Sequence, residues 1–256
     1  MRDGQVVEID LPELTHEDCA IKPIAMPLEI LFEDDDILVV SKPAGLCVHP
    51  APGHLDDTLV NGVLARHPKM ALVGSIRRPG VVHRLDLATS GAIVFALSPE
   101  AYRGLTGQIR VRAMKREYLA VVHGIPSPSS GTINMPIGRD PDNRRKFAVL
   151  SAASGATVRH AVTHYDVIER FAHASLLAVR LDTGRTHQIR VHMKRIGHPV
   201  CGDITYAPER SGMPISRQAL HAQKLSFAHP VTGKLVAVEA PLPADIAGLL
   251  EFLRRG

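Results

Sequence analysis

His83-Arg84-Leu85-Asp86-Leu87-Ala88-Thr89-Ser90-Gly91-Ala92-Ile93-Val94-Phe95-Ala96-Leu97-Ser98-Pro99 carries a charged loop, a strand and a helix start in one run. The apolar run Ala92 to Leu97, bounded by Gly91 and Ser98, reads as a buried strand. Ser98 then offers a helix cap and Pro99 takes the first helical position, so a helix is predicted from Pro99 toward Lys115. Upstream of the strand, Arg77, Arg78, His83 and Arg84 surround one acid, Asp86. A carboxylate in a cationic segment opposes the binding of a polyanion. It is tolerable as the partner of an arginine, as a turn cap, or as a group that acts on whatever is bound.

Working outward, Ile37-Leu38-Val39-Val40 reads as a second buried strand, stopped by Pro43 and Gly45. Asp57 is the expected cap of a helix carrying Val60, Val63 and Leu64. Tyr118 to Val122 is β-rich, residues 125 to 131 read as a loop, and Leu177, Val179 and Leu181 alternate as in a half-buried strand. Thr186 is the expected cap of a helix with the stripe Ile189, Met193 and Ile196, closed by Gly197. A last helix places Ile246, Leu249, Leu250 and Leu253 on one face, with Arg254 and Arg255 at its negative end. Strands and helices mix without regular alternation. The expected fold is therefore α+β, with a mixed, largely antiparallel sheet flanked by helices and loops. Residues 1–25 are acidic, with Pro23 and then Pro27 closing them off, and read as a tail ahead of a domain over 26–256.

The 256 residues are 45% hydrophobic and 22% charged, as a globular chain with a full core requires. Thirty lysines and arginines against 26 acids leave a net charge of +4. The basic residues cluster at Arg77-Arg78, Arg110 to Arg116, Arg139 to Lys146 and Arg185 to Arg195. Any one cluster is explained by a solvated face; all of them together suggest one basic face of the kind that binds nucleic-acid phosphates. With no tryptophan, 6 Phe and 4 Tyr, a broad stacking platform is excluded. Three scattered cysteines suit a reducing compartment without disulfides. The 14 histidines form no H-E-x-x-H pattern, and no metal site is expected. No run nears the roughly 18 apolar residues of a membrane span, and the charged start is no signal peptide, so a cytoplasmic protein with no membrane contact is expected. Asp182-Thr183-Gly184 matches an aspartic-protease triplet, but a basic helix start follows it and the chain has no second copy. Nucleotide-binding glycine loops are absent from the sequence, as is Gly-x-Ser-x-Gly.

His83-Arg84-Leu85-Asp86 with Thr89-Ser90-Gly91 resembles the catalytic signature of the RluA-type RNA pseudouridine synthases. Val39 to Gly45 with His49-Pro50 resembles their first motif, Glu117 to Ala120 with Gly124 their tyrosine motif, and Gly184 to His192 their arginine motif. Gly202-Asp203 with Tyr206, Leu220-His221-Ala222 and Phe227 to Pro230 complete the series in order. The resemblance implies the pseudouridine synthase fold with a central basic cleft, and a cofactor-free conversion of uridine to pseudouridine in RNA. It implies Asp86 as the essential catalytic carboxylate, Tyr118 and Arg190 as its catalytic companions, and Arg84 in the space left by the target nucleotide; with the basic clusters, the expected RNA contacts are Arg84, His83, Arg144, Arg145, Lys146 and Arg185. It is closest to the RluD-like branch, which points to ribosomal RNA of the large subunit, free or in a precursor particle, rather than transfer RNA, and to a monomer. Members of that branch usually begin with a separate RNA-binding domain. Asp3 to Ile9 looks like its last strand, which makes residues 1–25 a candidate remnant. Leu87 and Ala88 depart from the Lys and Asp that relatives often carry there. The competing expectation is a catalytically silent RNA-binding or ribosome-assembly factor on the same fold.

Overall fold

The structure, a computed structural model, describes residues 21–143, 146–151, 155–208 and 212–256. Most of the expected tail, together with Arg144 and Arg145, lies outside the described residues. The described end of that tail is tied to the domain: Ile21 is buried, Ile24 donates to the Asn61 carbonyl (3.0 Å), and Asn61 Nδ2 donates to the Lys22 carbonyl (2.8 Å).

The main sheet has nine strands. In chain order they are β1 Glu29–Glu33, β2 Ile37–Lys42, β3 Ser90–Ala96, β4 Lys115–His123, β5 Ser130–Asn134, β6 Val162–Arg170, β7 Ala174–Leu181, β8 Leu220–Ala228 and β9 Leu235–Glu239. In space the order is β1-β2-β3-β8-β4-β7-β6-β5, with β9 also on β8. Every pairing is antiparallel except the short parallel contact of β3 with β8, where Ser90 meets His221 and Gly91 meets Ala222. The sheet is therefore mixed and largely antiparallel, as expected. Past Lys224 the same edge of β8 passes to β9. Ile37 to Val40 and Ala92 to Ala96 are buried along their whole length, which is why they read as unbroken apolar runs rather than alternating ones.

Among the described residues, four α-helices flank the sheet: α1 Leu59–Arg66, α2 Pro99–Arg110, α3 Gln188–Arg195 and α4 Ala244–Arg255. Ser98 caps α2 as expected, its Oγ accepting from the Ala101 N–H at 3.1 Å. Gly197 follows α3, and α4 buries Ile246, Leu249, Leu250 and Leu253. Several expected boundaries move. The cap of α1 is Thr58, whose N–H and hydroxyl meet the Asn61 side chain, while Asp57 pairs with His54. α2 stops at Arg110 rather than near Lys115, because Arg112 turns left-handed (φ 62°) to feed β4. β5 begins at Ser130, inside the expected loop. α3 is preceded not by a Thr186 cap but by His187, also left-handed (φ 56°).

What positions the site is one row across the sheet centre. Gly91 of β3, Ala222 of β8, Tyr118 of β4 and Val179 of β7 sit side by side. Gly91 has φ +116°, and a Cβ there would strike the Ala222 backbone, so only glycine lets β3 approach β8 this closely. The loop bearing Asp86 enters β3 beside that row.

Candidate active site

The Asp86 loop is held from several sides. Lys42, fully buried, donates its ammonium to the carbonyls of Pro43 (2.7 Å), Leu46 (2.8 Å) and Leu87 (3.1 Å). The Gly45 N–H also reaches the Leu87 carbonyl (2.9 Å), and Arg217 Nη1 donates to that of Ala88 (3.0 Å). Burial pulls the Lys42 pKa down to about 7. Three carbonyl acceptors favour the ammonium form against that pull. Within the loop the Thr89 N–H closes a turn onto the Asp86 carbonyl (3.0 Å), and Ser90 Oγ lies 3.0 Å from His221 Nδ1.

The other wall is α3 and the loop before it. Gln188 is buried with its amide fully used. Its Nε2 donates to the Val162 carbonyl (2.9 Å) and Thr163 Oγ1 (3.0 Å), and its Oε1 accepts from Thr183 Oγ1 (2.8 Å) and the Arg185 N–H (3.0 Å). This fixes the start of α3 against β6 and aims Arg190 at the loop opposite. Arg190 Nη1 donates to Asp86 Oδ2 at 3.0 Å. Its Nε and Nη2 hold Asp203 bidentately, at 2.7 and 2.9 Å. Asp203 is fully buried and also accepts the N–H groups of Thr205 (3.0 Å) and Tyr206 (3.1 Å). Burial pulls the Arg190 pKa down, but the two carboxylates outweigh it and raise the guanidinium above the ordinary arginine value. The result is a permanent cation that keeps the Asp86 carboxylate oriented.

Asp86, Gln188 and Arg190 line the floor of a cleft of about 530 Å³, with Asp203 fully buried behind Arg190. Tyr118 lines it from β4. Burial pushes its phenol pKa up; Arg116 opposes this and the Asp86 charge adds to it. Arg78, Arg84, Arg110 and Arg112 stand exposed at the mouth, and Arg185 is half-buried in the wall. The expected basic cleft is therefore present, and it brings Asp86, Tyr118, Arg190, Arg84, His83 and Arg185 together. Two of the expected RNA contacts among them are partly committed to the protein. His83 Nε2 accepts the Val94 N–H (3.2 Å), with burial and then Arg116 lowering its pKa to about 3, so it enters the wall as a neutral ring. Arg185 Nε donates to the His160 carbonyl (3.1 Å). Lys146 does not line the cleft; it closes the turn of a small side sheet (Ile137–Arg139, Phe147–Val149, Val158–Arg159) that packs on Tyr206 and Val191. Arg144 and Arg145 lie outside the described residues.

Sequence reasoning placed Asp203 and Tyr206 in a motif but gave neither a role. Asp203 neutralises Arg190, and Tyr206 lies under it, with the guanidinium 5.0 Å from the ring centre. The readable signal was that a buried arginine on α3 needs a buried acid nearby in sequence.

Asp34, Asp36 and His229 bring ligand-type atoms within 4.8 Å of one another, outside the cleft. His229 Nδ1 accepts the N–H groups of Val231 (3.3 Å) and Thr232 (3.1 Å), which leaves its proton on Nε2, 2.9 Å from Asp34 Oδ2. Asp34 Oδ1 meanwhile caps Asp36 and Ile37, both at 2.9 Å, and Asp36 Oδ1 takes the Ser98 hydroxyl (2.6 Å). The hydrogen bonds of Asp34 and Asp36 join the start of β2 to the start of α2. Among the described residues, no helix is long and apolar enough to cross a membrane.

Comparison with known proteins adds to this geometry. A family model for RNA pseudouridylate synthases matches residues 36–195. The chain is 46% identical over 255 residues to the uncharacterized RNA pseudouridine synthase YlyB of Bacillus subtilis, covering all of this chain and 82% of that protein. It is 43% identical over 259 residues to the ribosomal large subunit pseudouridine synthase D of Zymomonas mobilis, covering 98% of this chain and 79% of the relative. Human RNA pseudouridylate synthase domain containing 1 shares the fold with a TM-score of 0.67 and 26% identity, over 96% of this chain and 98% of that one.

Proposed function

Because the chain belongs to the RNA pseudouridylate synthase family, we propose that it isomerises uridine to pseudouridine in large-subunit ribosomal RNA, free or in a precursor particle, using Asp86. The observation that carries this reading is the Asp86–Arg190–Asp203 chain of charges on the floor of an arginine-lined cleft, with Tyr118 beside it. The reaction frees uracil from its ribose, turns it and rejoins it through carbon. It changes no redox state and imports no group, so it asks of the protein only positioning and charge. The exposed arginines at the mouth bind backbone phosphates. The target nucleotide leaves its stack to enter the cleft, and Arg84, exposed and unpaired among the described residues, takes the space it vacates. Tyr118 stacks on the base. Asp86, fixed by Arg190, acts at the ribose, as carboxylates do in glycosidic cleavage.

In this reading the protein works in the cytoplasm as a monomer. Residues 26–256 form the catalytic unit, with Ile21 to Ile24 packed onto it, and the tail before them contributes to affinity for long RNA rather than to chemistry. The test is carbodiimide-based mapping of pseudouridine in RNA from a strain lacking the gene. Loss of one or more large-subunit sites, restored by the wild-type gene but not by Asp86→Asn, is expected. A strain that keeps every modification contradicts the proposal and returns the chain to the silent RNA-binding class.

A further inference from the structure

Every acid that lines the cleft is already engaged: Asp86 by Arg190 and Asp182 by His164, at 3.0 and 3.1 Å. The exposed arginines at the mouth are open to solvent, but one unengaged cation there is buried. Arg116 is only 7% exposed, yet among the described residues its guanidinium has no hydrogen bond and no ion pair, and its Nε is buried without a partner. A guanidinium whose Nε is buried without a partner is costly, and a ligand entering the cleft that Arg116 lines can supply the missing acceptor. Its place against the cleft wall is defined. A Cβ on Gly184 would come within 2.8 Å of Arg116 Nη1, so the guanidinium lies directly against the Asp182-Thr183-Gly184 turn.

Its position says which part of the substrate it meets. Arg116 and Tyr118 are two residues apart on β4, hence on the same face and roughly 6.5 Å apart along the strand. A uracil ring stacked on Tyr118 turns its edge to Arg116. Backbone phosphates belong instead at the mouth, where Arg84, Arg110 and Arg112 are exposed. In cleavage of the C1′–N1 bond the electron pair stays with the base. This holds whether Asp86 attacks C1′ to form a new C–O bond, or takes a ribose proton to leave a C1′=C2′ double bond. The detached uracil carries that negative charge on N1, O2 and O4.

Building on the function proposed above, we propose that Arg116 is a further catalytic residue, whose guanidinium binds the uracil edge and stabilises the negative charge that develops as the base leaves. It is the counterpart of an oxyanion-hole donor: weakly used by neutral uridine, fully used by the anion.

The test compares wild type, Arg116→Gln and Arg116→Lys on two large-subunit ribosomal RNA transcripts, one carrying uridine and one 5-fluorouridine, whose base is the better leaving anion. Single-turnover loss of the target N-glycoside and the dissociation constant are both measured. For Arg116→Gln, a fall of about 100-fold in rate on uridine RNA is expected, with affinity within about twofold of wild type and a fall of at most about tenfold on the fluorinated RNA. Arg116→Lys keeps the charge without the fork and should fall less on uridine RNA, with the same narrowing. If the glutamine variant fails to fold, the lysine variant carries the test. A wild-type rate, an equal loss on both RNAs, or weakened affinity at unchanged rate, which is the mark of a phosphate contact, overturns the proposal. Wild-type protein that forms no pseudouridine on the uridine transcript and cleaves no N-glycoside on either defeats the functional reading and this one with it; an active wild type beside unaffected variants defeats this one alone.

Discussion

The floor of the cleft and its mouth hold similar residues in opposite states. On the floor, Arg190 spends three N–H groups on two carboxylates, and Asp203 is saturated in turn by two backbone N–H groups. At the mouth, the exposed Arg84 and Arg112 have no partner among the described residues. The floor is finished before any ligand arrives, as preorganised chemistry requires, because orientation then costs nothing at the moment of reaction. The mouth is unfinished, as a polyanion site must be, because each phosphate supplies the missing charge. Floor substitutions should therefore change rate, and mouth substitutions affinity.

The sharpest break comes from Asp86→Asn, which is expected to lower the single-turnover rate by about a thousandfold or more. RNA affinity should stay the same or tighten, since a negative charge leaves the cleft. Next is Asp203→Asn, which leaves Arg190 with half its compensation. A loss of about 3 kcal/mol in urea denaturation and a rate lowered about 10- to 100-fold are expected; unchanged stability would show that Arg190 does not depend on this pair. Smaller again, Arg112→Gln at the mouth should weaken binding about three- to tenfold, with a log–log salt slope shallower by about 0.7, while the rate at saturating RNA falls far less. A shift in which uridine is modified would mean that Arg112 reads sequence.

The smallest effect concerns protons. Burial, with Arg78 and Arg84 beside it, lowers the His49 pKa to about 4, and His83 stands at about 3. Below pH 6.5 the unfolded chain binds protons that the folded cleft refuses. Stability is therefore fully present above about pH 6.5 and is lost as pH falls toward 4, by at most about 1.4 kcal/mol per pH unit for each ring. Urea midpoints at pH 7, 6 and 5 should fall in that order, and His49→Asn should flatten the fall.

The same contrast explains what could be read from sequence. Local rules sufficed where one segment decides: the Ser98-Pro99 cap, the apolar face of α4, the unbroken strands of β2 and β3, and the odd acid at Asp86. They failed where a distant segment decides. His187 adopts a left-handed backbone next to Tyr206, whose Oη lies 2.9 Å from its Nδ1, and no propensity of Thr186 or His187 encodes that. The insertion of β8 between β3 and β4 joins segments about a hundred residues apart in the chain. Asp203 was visible only as a motif member, because its role depends on the burial of Arg190. Arg116 looked like one more basic residue in a charged run, since a missing partner shows only once the neighbours are in place.

The most direct test of a finished floor and an unfinished mouth is one paired measurement: dissociation constant across a salt series and single-turnover rate, for Asp86→Asn and Arg112→Gln on the same large-subunit transcript. The expected result is a double dissociation, with Asp86→Asn keeping affinity and salt slope while losing pseudouridine formation, and Arg112→Gln losing affinity and slope with a much smaller change in rate. Measurable turnover by Asp86→Asn, or parallel losses of rate and affinity in both variants, would contradict the division of labour between them.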